Sequence, residues 1–184
     1  AHNNLGNVFQ GLSEYKEAIA CYQSAIKLDS DYAEAHYNLG KVHQELGKNQ
    51  EAITCYQKAI KLDPNYIKSY NNLGNVLMEL EKYQEAVSCY KSAIKLNPNY
   101  TESHNNLGNA LKELDSYQEA MACYQRAIKL EPNYAEAHYN LGTAFQELEE
   151  YQKAIFCHEN AIKLDPNNAK FYYNLALAEI ELGK

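Results

Sequence analysis

The segment from Ala33 to Tyr66 reads AEAHYNLGKVHQELGKNQEAITCYQKAIKLDPNY, and it decides the fold because the chain repeats it every 34 residues. Rows of this length align the sequence from end to end without an insertion or a deletion. Self-similarity at a fixed period is the signature of a repeat architecture. The sequence therefore predicts one array of repeats, with boundaries at 1–32, 33–66, 67–100, 101–134 and 135–168 and a half repeat at 169–184.

Each repeat contains two helical patterns separated by a short turn. Small, apolar and histidine side chains recur at spacings of three and four, as on one face of an α-helix. In the first half these residues are His36, Leu39, Gly40, His43 and Leu46, and in the second half Ala52, Ile53, Tyr56, Ala59, Ile60 and Leu62. Gly47 marks the turn between them, and Pro64 closes the second helix because proline cannot continue one.

Two antiparallel helices joined by a tight turn form an αα-hairpin, which cannot bury its own apolar face. Stacked neighbours build a continuous core. The sequence thus predicts an all-α, right-handed α-solenoid of five hairpins plus one additional helix, eleven helices in total. We count repeat places from Ala33 as place 1, and places 4, 7, 8, 11 and 14 form the predicted core stripe of the first helix.

A family pattern runs through the repeats. One repeat carries it as Tyr70, Leu73, Gly74, Leu77, Ala86, Tyr90, Ala93 and Pro98. On these residues the chain resembles the tetratricopeptide repeat family. The departures are His at His36, His104 and His138, Ser30 in place of Pro, and Ala176 in place of Gly. The resemblance implies a helical scaffold that holds other proteins, with the first helices lining a concave groove.

Asparagine occupies place 6 of every repeat, although its amide competes with the helix backbone for hydrogen bonds. The six residues are Asn4, Asn38, Asn72, Asn106, Asn140 and Asn174. Place 6 lies opposite the core stripe, so these side chains are predicted to be exposed. A row of amides, each able to donate and to accept, suits the backbone of an extended peptide. Shared descent of the repeats, or contacts between adjacent first helices, would explain the same row without a ligand.

Neighbouring places extend the predicted peptide-binding surface. Place 9 contributes Asn7, Lys41, Asn75 and Asn109, and place 5 contributes Tyr37 and Tyr139, whose rings can stack on a ligand. The asparagine row resembles that of O-linked N-acetylglucosamine transferases and of similar adaptors. Domains of this family that clamp acidic chaperone tails use paired Lys and Arg on this wall. That activity is not expected here, because place 5 holds no Lys or Arg and place 6 holds no Arg.

Charge and composition argue against several function classes. A net charge of −7 and a pI of about 5.4 disfavour nucleic acid and anionic membranes as partners. No apolar run approaches the length of a membrane span. The first residue is Ala1 rather than Met, so we expect the chain to be a piece of a longer protein.

The cysteines and histidines are predicted to be structural. Five cysteines lie 34 residues apart without a C-x-x-C pair, which disfavours a zinc or dithiol motif. Their odd number favours a reducing compartment, the cytoplasm or the nucleus. The histidines lie at core places and are predicted to pack there. No catalytic, phosphate-binding, metal-binding or cofactor motif is recognised, so the sequence predicts no enzyme.

The predicted function is therefore protein–protein interaction, with an extended peptide or partner segment in the groove. One alternative is a substrate-recruiting region of a larger enzyme, such as a glycosyltransferase, and another is a ligand-free structural or engineered repeat. Leu177 and Ile180 occupy places that are polar in nearly all other repeats. We therefore expect the last helix to be covered, either by its missing second helix or by self-association of the chain.

Overall fold

The computed structural model describes residues 1–183, and across this range every regular element is an α-helix. The predicted half repeat extends to Lys184, which lies outside the described residues. The helices are α1 (His2–Gly11), α2 (Tyr15–Leu28), α3 (Ala33–Glu45), α4 (Asn49–Leu62), α5 (Ile67–Glu79), α6 (Tyr83–Leu96), α7 (Thr101–Lys112), α8 (Tyr117–Leu130), α9 (Ala135–Glu147), α10 (Tyr151–Leu164) and α11 (Ala169–Glu181). Eleven helices between residues 1 and 183 confirm the prediction.

The helices fall into two compact units. The first unit, Ala1–Leu96, contains the hairpins α1/α2, α3/α4 and α5/α6. The second unit begins at Asn97 and contains the hairpins α7/α8 and α9/α10, followed by α11. Within each unit the second helix of one hairpin packs against the first helix of the next, as α2 does against α3 and α8 against α9.

The turn inside each hairpin places one residue in the left-handed region of backbone conformation. Its φ is +69° at Gly47, where glycine carries no steric penalty, and +59° at Glu81, where a side chain does. The same turn position is occupied by Ser13, Asp115 and Glu149 in the other hairpins. The predicted turns are confirmed. In four of the five, a residue other than glycine adopts this strained backbone conformation.

Glycine at place 8 lets a buried ring lie directly against the first helix. A Cβ added to Gly74 would lie 2.5 Å from the ring of Tyr90, and one added to Gly108 would lie 2.4 Å from the ring of Tyr124. Such contacts are too close for any side chain, so the Leu-Gly pair of the repeat is required by packing. Alanines of the second helix, such as Ala86, are fully buried beside these rings.

The predicted core stripe is correct at places 7 and 8, wrong at place 14, where Leu12, Leu46 and Leu80 are exposed, and too narrow. Place 7 is buried as predicted in four repeats, at Leu39, Leu73, Leu107 and Leu141. Places 3 and 10, which the stripe omitted, are completely buried in those same repeats, at Ala35, Ser69, Ser103, Ala137, Val42, Val76, Ala110 and Ala144. A first helix inside a unit packs against the second helices on both of its sides, so it buries two faces rather than one.

The repeat ends are fixed by polar contacts. Nε2 of His104 donates to the carbonyl oxygen of Pro98 at 2.9 Å, and Nε2 of His138 donates to that of Pro132 at 3.0 Å. The predicted core packing holds for His104, while His138 is half-buried and His2 is exposed. The histidines of place 4 therefore mainly bind the turn that precedes their helix.

Helix α11 exposes apolar surface, as the sequence predicts. Ile180 is 67% exposed and Tyr173 is 65% exposed, while Leu177 is half-buried. Phe156 on α10 is also exposed, at a place that holds Ala, Thr or Ser in the other repeats.

Candidate functional site

The asparagines of place 6 are less exposed than the sequence predicts. Asn4 is exposed, while Asn72, Asn106, Asn140 and Asn174 are half-buried. Asn38 is only 7% exposed, so the predicted exposure is wrong for this residue. The reason is that adjacent first helices within a unit approach each other along this row.

The place 6 amides bind the preceding first helix. Nδ2 of Asn38 donates to Oδ1 of Asn3 at 3.0 Å, and Nδ2 of Asn72 donates to the hydroxyl of Tyr37 at 3.2 Å. The second unit contains the same two kinds of bond. Nδ2 of Asn140 donates to Oδ1 of Asn105 at 3.0 Å, and Nδ2 of Asn174 donates to the hydroxyl of Tyr139. Each bond joins place 6 to place 5 across 35 residues. The row thus has a structural role, which was the alternative interpretation.

The asparagines of place 9 also have a structural role that the sequence analysis missed. The hydroxyl of Tyr90 donates to Oδ1 of Asn75 at 2.8 Å, and that of Tyr124 donates to Oδ1 of Asn109 at 2.9 Å. The hydroxyl of Tyr22 is within hydrogen-bond distance of both Asn7 and Gln10. Each of these tyrosines is buried at place 24 of its repeat.

Where place 9 is not asparagine, place 12 supplies the acceptor. Lys41 is followed by Gln44, whose Oε1 accepts from the hydroxyl of Tyr56 at 2.9 Å. Thr143 is followed by Gln146, whose Oε1 accepts from Nε2 of His158 at 2.7 Å. The exchange of Asn at place 9 for Gln at place 12 is the sequence signal that could have identified this bond.

The first unit contains an open cavity of about 460 Å³ on the wall of its first helices, which we call the first-unit groove. Its lining residues are Asn7, Gln10, Gly11, Glu34, Tyr37, Asn38, Lys41, Glu45, Tyr66 and Lys68. Four of the predicted binding residues, Asn7, Tyr37, Asn38 and Lys41, are brought together here. The sequence analysis missed Glu34, Tyr66 and Lys68, which come from the first turns of α3 and α5 and from the residue before α5.

Aromatic rings and carboxylates shape the first-unit groove. The centre of the Tyr37 ring lies 5.1 Å from the centre of the Tyr66 ring and 5.9 Å from that of the Tyr56 ring. Glu45, at place 13 of its repeat, accepts a hydrogen bond from Nε2 of Gln10 at 2.8 Å. Glu79, at the same place of the next repeat, accepts one from Nε2 of Gln44 at 3.0 Å, so both carboxylates are held by the preceding first helix.

A second cavity, of about 400 Å³, lies in the second unit. It is lined by Tyr134, Ala135, Glu136, Tyr139, Asp165, Asn168, Lys170 and Phe171, and Tyr139 is the only predicted binding residue among them. Tyr139 is 6% exposed, because its ring stacks on Phe171 at 5.0 Å and lies 4.5 Å from Nζ of Lys170. These contacts leave little of its surface for the ligand stacking that the sequence predicts.

Burial keeps the hydroxyl and thiol groups of the repeat protonated. It raises the pKa of Tyr22 to about 12, and it raises the pKa of the Cys89 thiol to about 11. The tyrosine hydroxyls therefore remain hydrogen-bond donors, and the thiol does not act as a thiolate. The five cysteines are free, and residues 1–183 contain no group of three or more His, Cys, Asp or Glu side chains placed to hold a metal ion.

Family models account for nearly the whole chain. A TPR repeat model matches residues 6–47, 44–81, 74–115 and 108–149, and tetratricopeptide repeat models match 135–168 and 159–184. The chain belongs to the tetratricopeptide repeat (TPR) family. The predicted family is thereby confirmed, and the TPR fold is that of a protein-interaction scaffold. A search of curated protein sequences finds no match.

Solved TPR structures resemble this chain over most of its length. YrrB, described as a TPR protein with an unusual peptide-binding site, is 28% identical, with 94% of this chain and 89% of YrrB covered and a TM-score of 0.78. MamA from Desulfovibrio magneticus RS-1 is 20% identical over 91% of this chain and 94% of its own, with a TM-score of 0.82. PilF of Pseudomonas aeruginosa is 20% identical over 98% and 88%, with a TM-score of 0.84. At 20% identity, the similarity to MamA and PilF shows only that this chain shares their fold.

Among the described residues, no TPR helix combines the length and the apolar character that crossing a bilayer requires.

Proposed function

We propose that this TPR array binds an extended segment of a partner protein along its first helices, with the first-unit groove as the principal site. The observation that carries the proposal is the convergence of Asn7, Tyr37, Asn38 and Lys41 on one open cavity. Amide, aromatic and ammonium groups in one groove match the backbone and side chains of a polypeptide. We also keep the cytoplasm or nucleus as the expected compartment, in accordance with the five free thiols.

The chemistry of the groove supports a peptide over a small apolar ligand. Peptide groups need both donors and acceptors, and a primary amide supplies both. In the part of the chain that the structure describes, no hydrogen bond reaches Oδ1 of Asn38, and neither Lys41 nor Lys68 forms an ion pair. These groups remain available to a ligand. The description of YrrB as peptide-binding is in keeping with this proposal.

The test uses an array of random twelve-residue peptides and a variant that removes two groove groups while leaving each buried tyrosine hydroxyl an acceptor. In Asn7→Ala/Lys41→Thr, Gln10 still accepts from Tyr22 and Gln44 still accepts from Tyr56. Threonine at place 9 is the residue that the chain itself carries at Thr143. Losing two polar contacts is expected to weaken retained peptides about tenfold.

Lys91→Thr, on the exposed face of α6, is the matched control and should leave peptide affinity unchanged. Circular dichroism checks that both variants are folded. If the wild type retains no peptide, or if the double variant binds as tightly as the wild type, the first-unit groove is not the peptide site.

A further inference from the structure

Two residues on the groove wall change together along the chain. They are place 5 of one repeat and place 2 of the next, 31 residues later. Asparagine is always followed by glutamate, in Asn3/Glu34, Asn71/Glu102 and Asn105/Glu136, whereas tyrosine is always followed by lysine, in Tyr37/Lys68 and Tyr139/Lys170. The five pairs contain no mixed combination, although the repeats vary independently at many other places.

In the first form of the pair, Asn followed by Glu, hydrogen bonds hold the carboxylate in place. Nδ2 of Asn3 donates to Oε1 of Glu34 at 3.2 Å, and the hydroxyl of Tyr32 donates to Oε2 of the same residue at 3.2 Å. Oδ1 of Asn3 meanwhile accepts from Asn38. The side-chain amide of Asn3 thus links Asn38 to Glu34, and it holds the negative charge of Glu34 at the groove wall.

In the second form of the pair, Tyr followed by Lys, the ammonium group can lie over the aromatic ring. Nζ of Lys170 lies 4.5 Å from the centre of the Tyr139 ring, a favourable position because the face of the ring is negative. In the first unit, Lys68 and Tyr37 line the same groove. Glutamate in this position would face the ring without an amide donor, which explains why the pair changes as a unit.

The lysines of the second form share their cavities with carboxylates, Glu34 and Glu45 beside Lys68 and Glu136 and Asp165 beside Lys170, but among the described residues they form no ion pair with them. Within residues 1–183, the ion pairs between side chains involve Lys82, Lys112 and Lys153, and neither Lys68 nor Lys170 takes part in one. Both lysines are exposed, and each lines a cavity of its unit. In a chain of net charge −7, these are two cations on the proposed binding wall that form no ion pair in the part of the chain described.

We propose that the pair at places 5 and 2 sets the sign of the charge that each site selects in a bound peptide. The Tyr37/Lys68 and Tyr139/Lys170 sites receive an acidic group of the ligand, and the Asn3/Glu34 and Asn105/Glu136 sites disfavour one. This inference rests on the proposed peptide-binding function, because it specifies which peptides the groove binds. The ligand chemistry is a carboxylate, supplied by an Asp or Glu side chain or by a chain terminus.

The chain itself supplies the test variant. Tyr37→Asn/Lys68→Glu installs the form that Asn3 and Glu34 already have. The bonds of the new pair have precedents: Asn72 can donate to Asn at position 37 as Asn38 does to Asn3, and Tyr66 stands before α5 as Tyr32 stands before α3. The variant is therefore expected to fold, and circular dichroism checks this.

The probes are ten-residue peptides, acetylated and amidated, selected for binding to the wild type and then scanned with Asp or Lys at each position. The wild type is expected to prefer Asp over Lys at one position by about fivefold, and the swapped variant is expected to lose or reverse this preference. The preference should weaken as salt is added. The same peptides with a free C-terminus show whether a terminal carboxylate takes the place of the side chain.

Lys91→Glu on α6 changes the net charge by the same amount as Lys68→Glu but lies outside the groove lining, and it should leave the Asp preference in place. Peptides that bind without a charge preference, or a preference that survives the swap or disappears in Lys91→Glu, would overturn this inference alone. A wild type that retains no peptide would overturn the proposed function together with it.

Discussion

The hydroxyl of Tyr90 donates a hydrogen bond to Oδ1 of Asn75, 2.8 Å away, from a side chain that is 1% exposed. The ring covers Gly74 on the same first helix, so one tyrosine fixes both the distance and the rotation of α5 against α6. An equivalent bond to an amide oxygen exists in each of the five hairpins.

Asn75→Ala is expected to destabilise the array by about 1–3 kcal/mol, because it leaves the buried hydroxyl of Tyr90 without an acceptor. Asn7→Ala should cost less, since Gln10 remains within reach of Tyr22. Urea denaturation of both variants measures the difference. Adding Tyr90→Phe to Asn75→Ala should recover part of the loss, and a loss that is equal in the two single variants would contradict this account of the bond.

His158 should make the stability of the array pH-dependent. Burial lowers its folded-state pKa from 6.5 to about 4, so the unfolded chain binds a proton first as the pH falls. The stabilising contribution of the neutral ring is complete above about pH 6.5 and is lost between that value and about pH 4. A shift of this size corresponds to about 3 kcal/mol.

His158→Tyr installs the ring that the other four hairpins use, with Gln146 as its acceptor. Thermal unfolding between pH 7 and pH 4 should show a smaller loss of stability for the variant than for the wild type. Equal pH dependence in the two proteins would show that other groups control the acid transition.

Glu81→Gly is expected to stabilise the array by about 1 kcal/mol, because residue 81 has a φ of +59° that glycine adopts without steric cost. Gly47→Ala at the equivalent turn should destabilise it by a similar amount, about 1 kcal/mol. Thermal midpoints of the two variants provide the measurement. Changes of the same sign would rule out the turn conformation as their cause.

The triple variant Asn72→Ala, Asn106→Ala and Asn140→Ala tests both roles of the place 6 row. Asn72 and Asn140 each donate to the preceding first helix, so the thermal midpoint should fall even though the helices still form at low temperature. Peptide affinity should fall as well, by about 0.5–1.5 kcal/mol for each lost ligand bond. Circular dichroism and fluorescence titration separate the two effects, and an unchanged affinity would leave the row with its structural role alone.

The exposed apolar side chains of α11 should promote self-association. Light scattering at rising protein concentration is expected to show an increasing mean mass for the wild type and a smaller increase for Ile180→Lys. Ala20→Lys, on an exposed face of α2, is a matched control because it adds the same charge elsewhere. A wild type that stays monomeric at all concentrations would exclude association through this helix.

The hairpins, the turns and the family were predictable because they depend on local spacing. Leu-Gly, the buried Tyr and the closing Pro recur in register, and each acts within its own repeat or at its end. Burial at place 6 was not predictable in the same way. A helical projection of α3 places Asn38 on the side opposite the centre of the core stripe, but it contains no information on α1, whose Asn3 and Asn7 accept hydrogen bonds from Asn38.

The candidate site was predicted in part for the same reason. Asn7, Tyr37, Asn38 and Lys41 belong to first helices and follow from the repeat places. Tyr66 comes from the end of its repeat and Lys68 from the start of the next one, and both enter the groove only after the hairpins are stacked. Their position in the groove depends on how neighbouring repeats pack against each other, and the pattern of a single repeat does not predict that packing.

Hydrogen bonds between adjacent first helices join residues 31 or 35 apart, and none of those described reaches further along the chain than the neighbouring repeat. A gene that gains or loses whole multiples of this module by recombination still encodes an amide and its partner at every new junction. Length is therefore a trait that such a protein can change in discrete steps, while a deletion of a few codons would change the spacing of the pairs that span it.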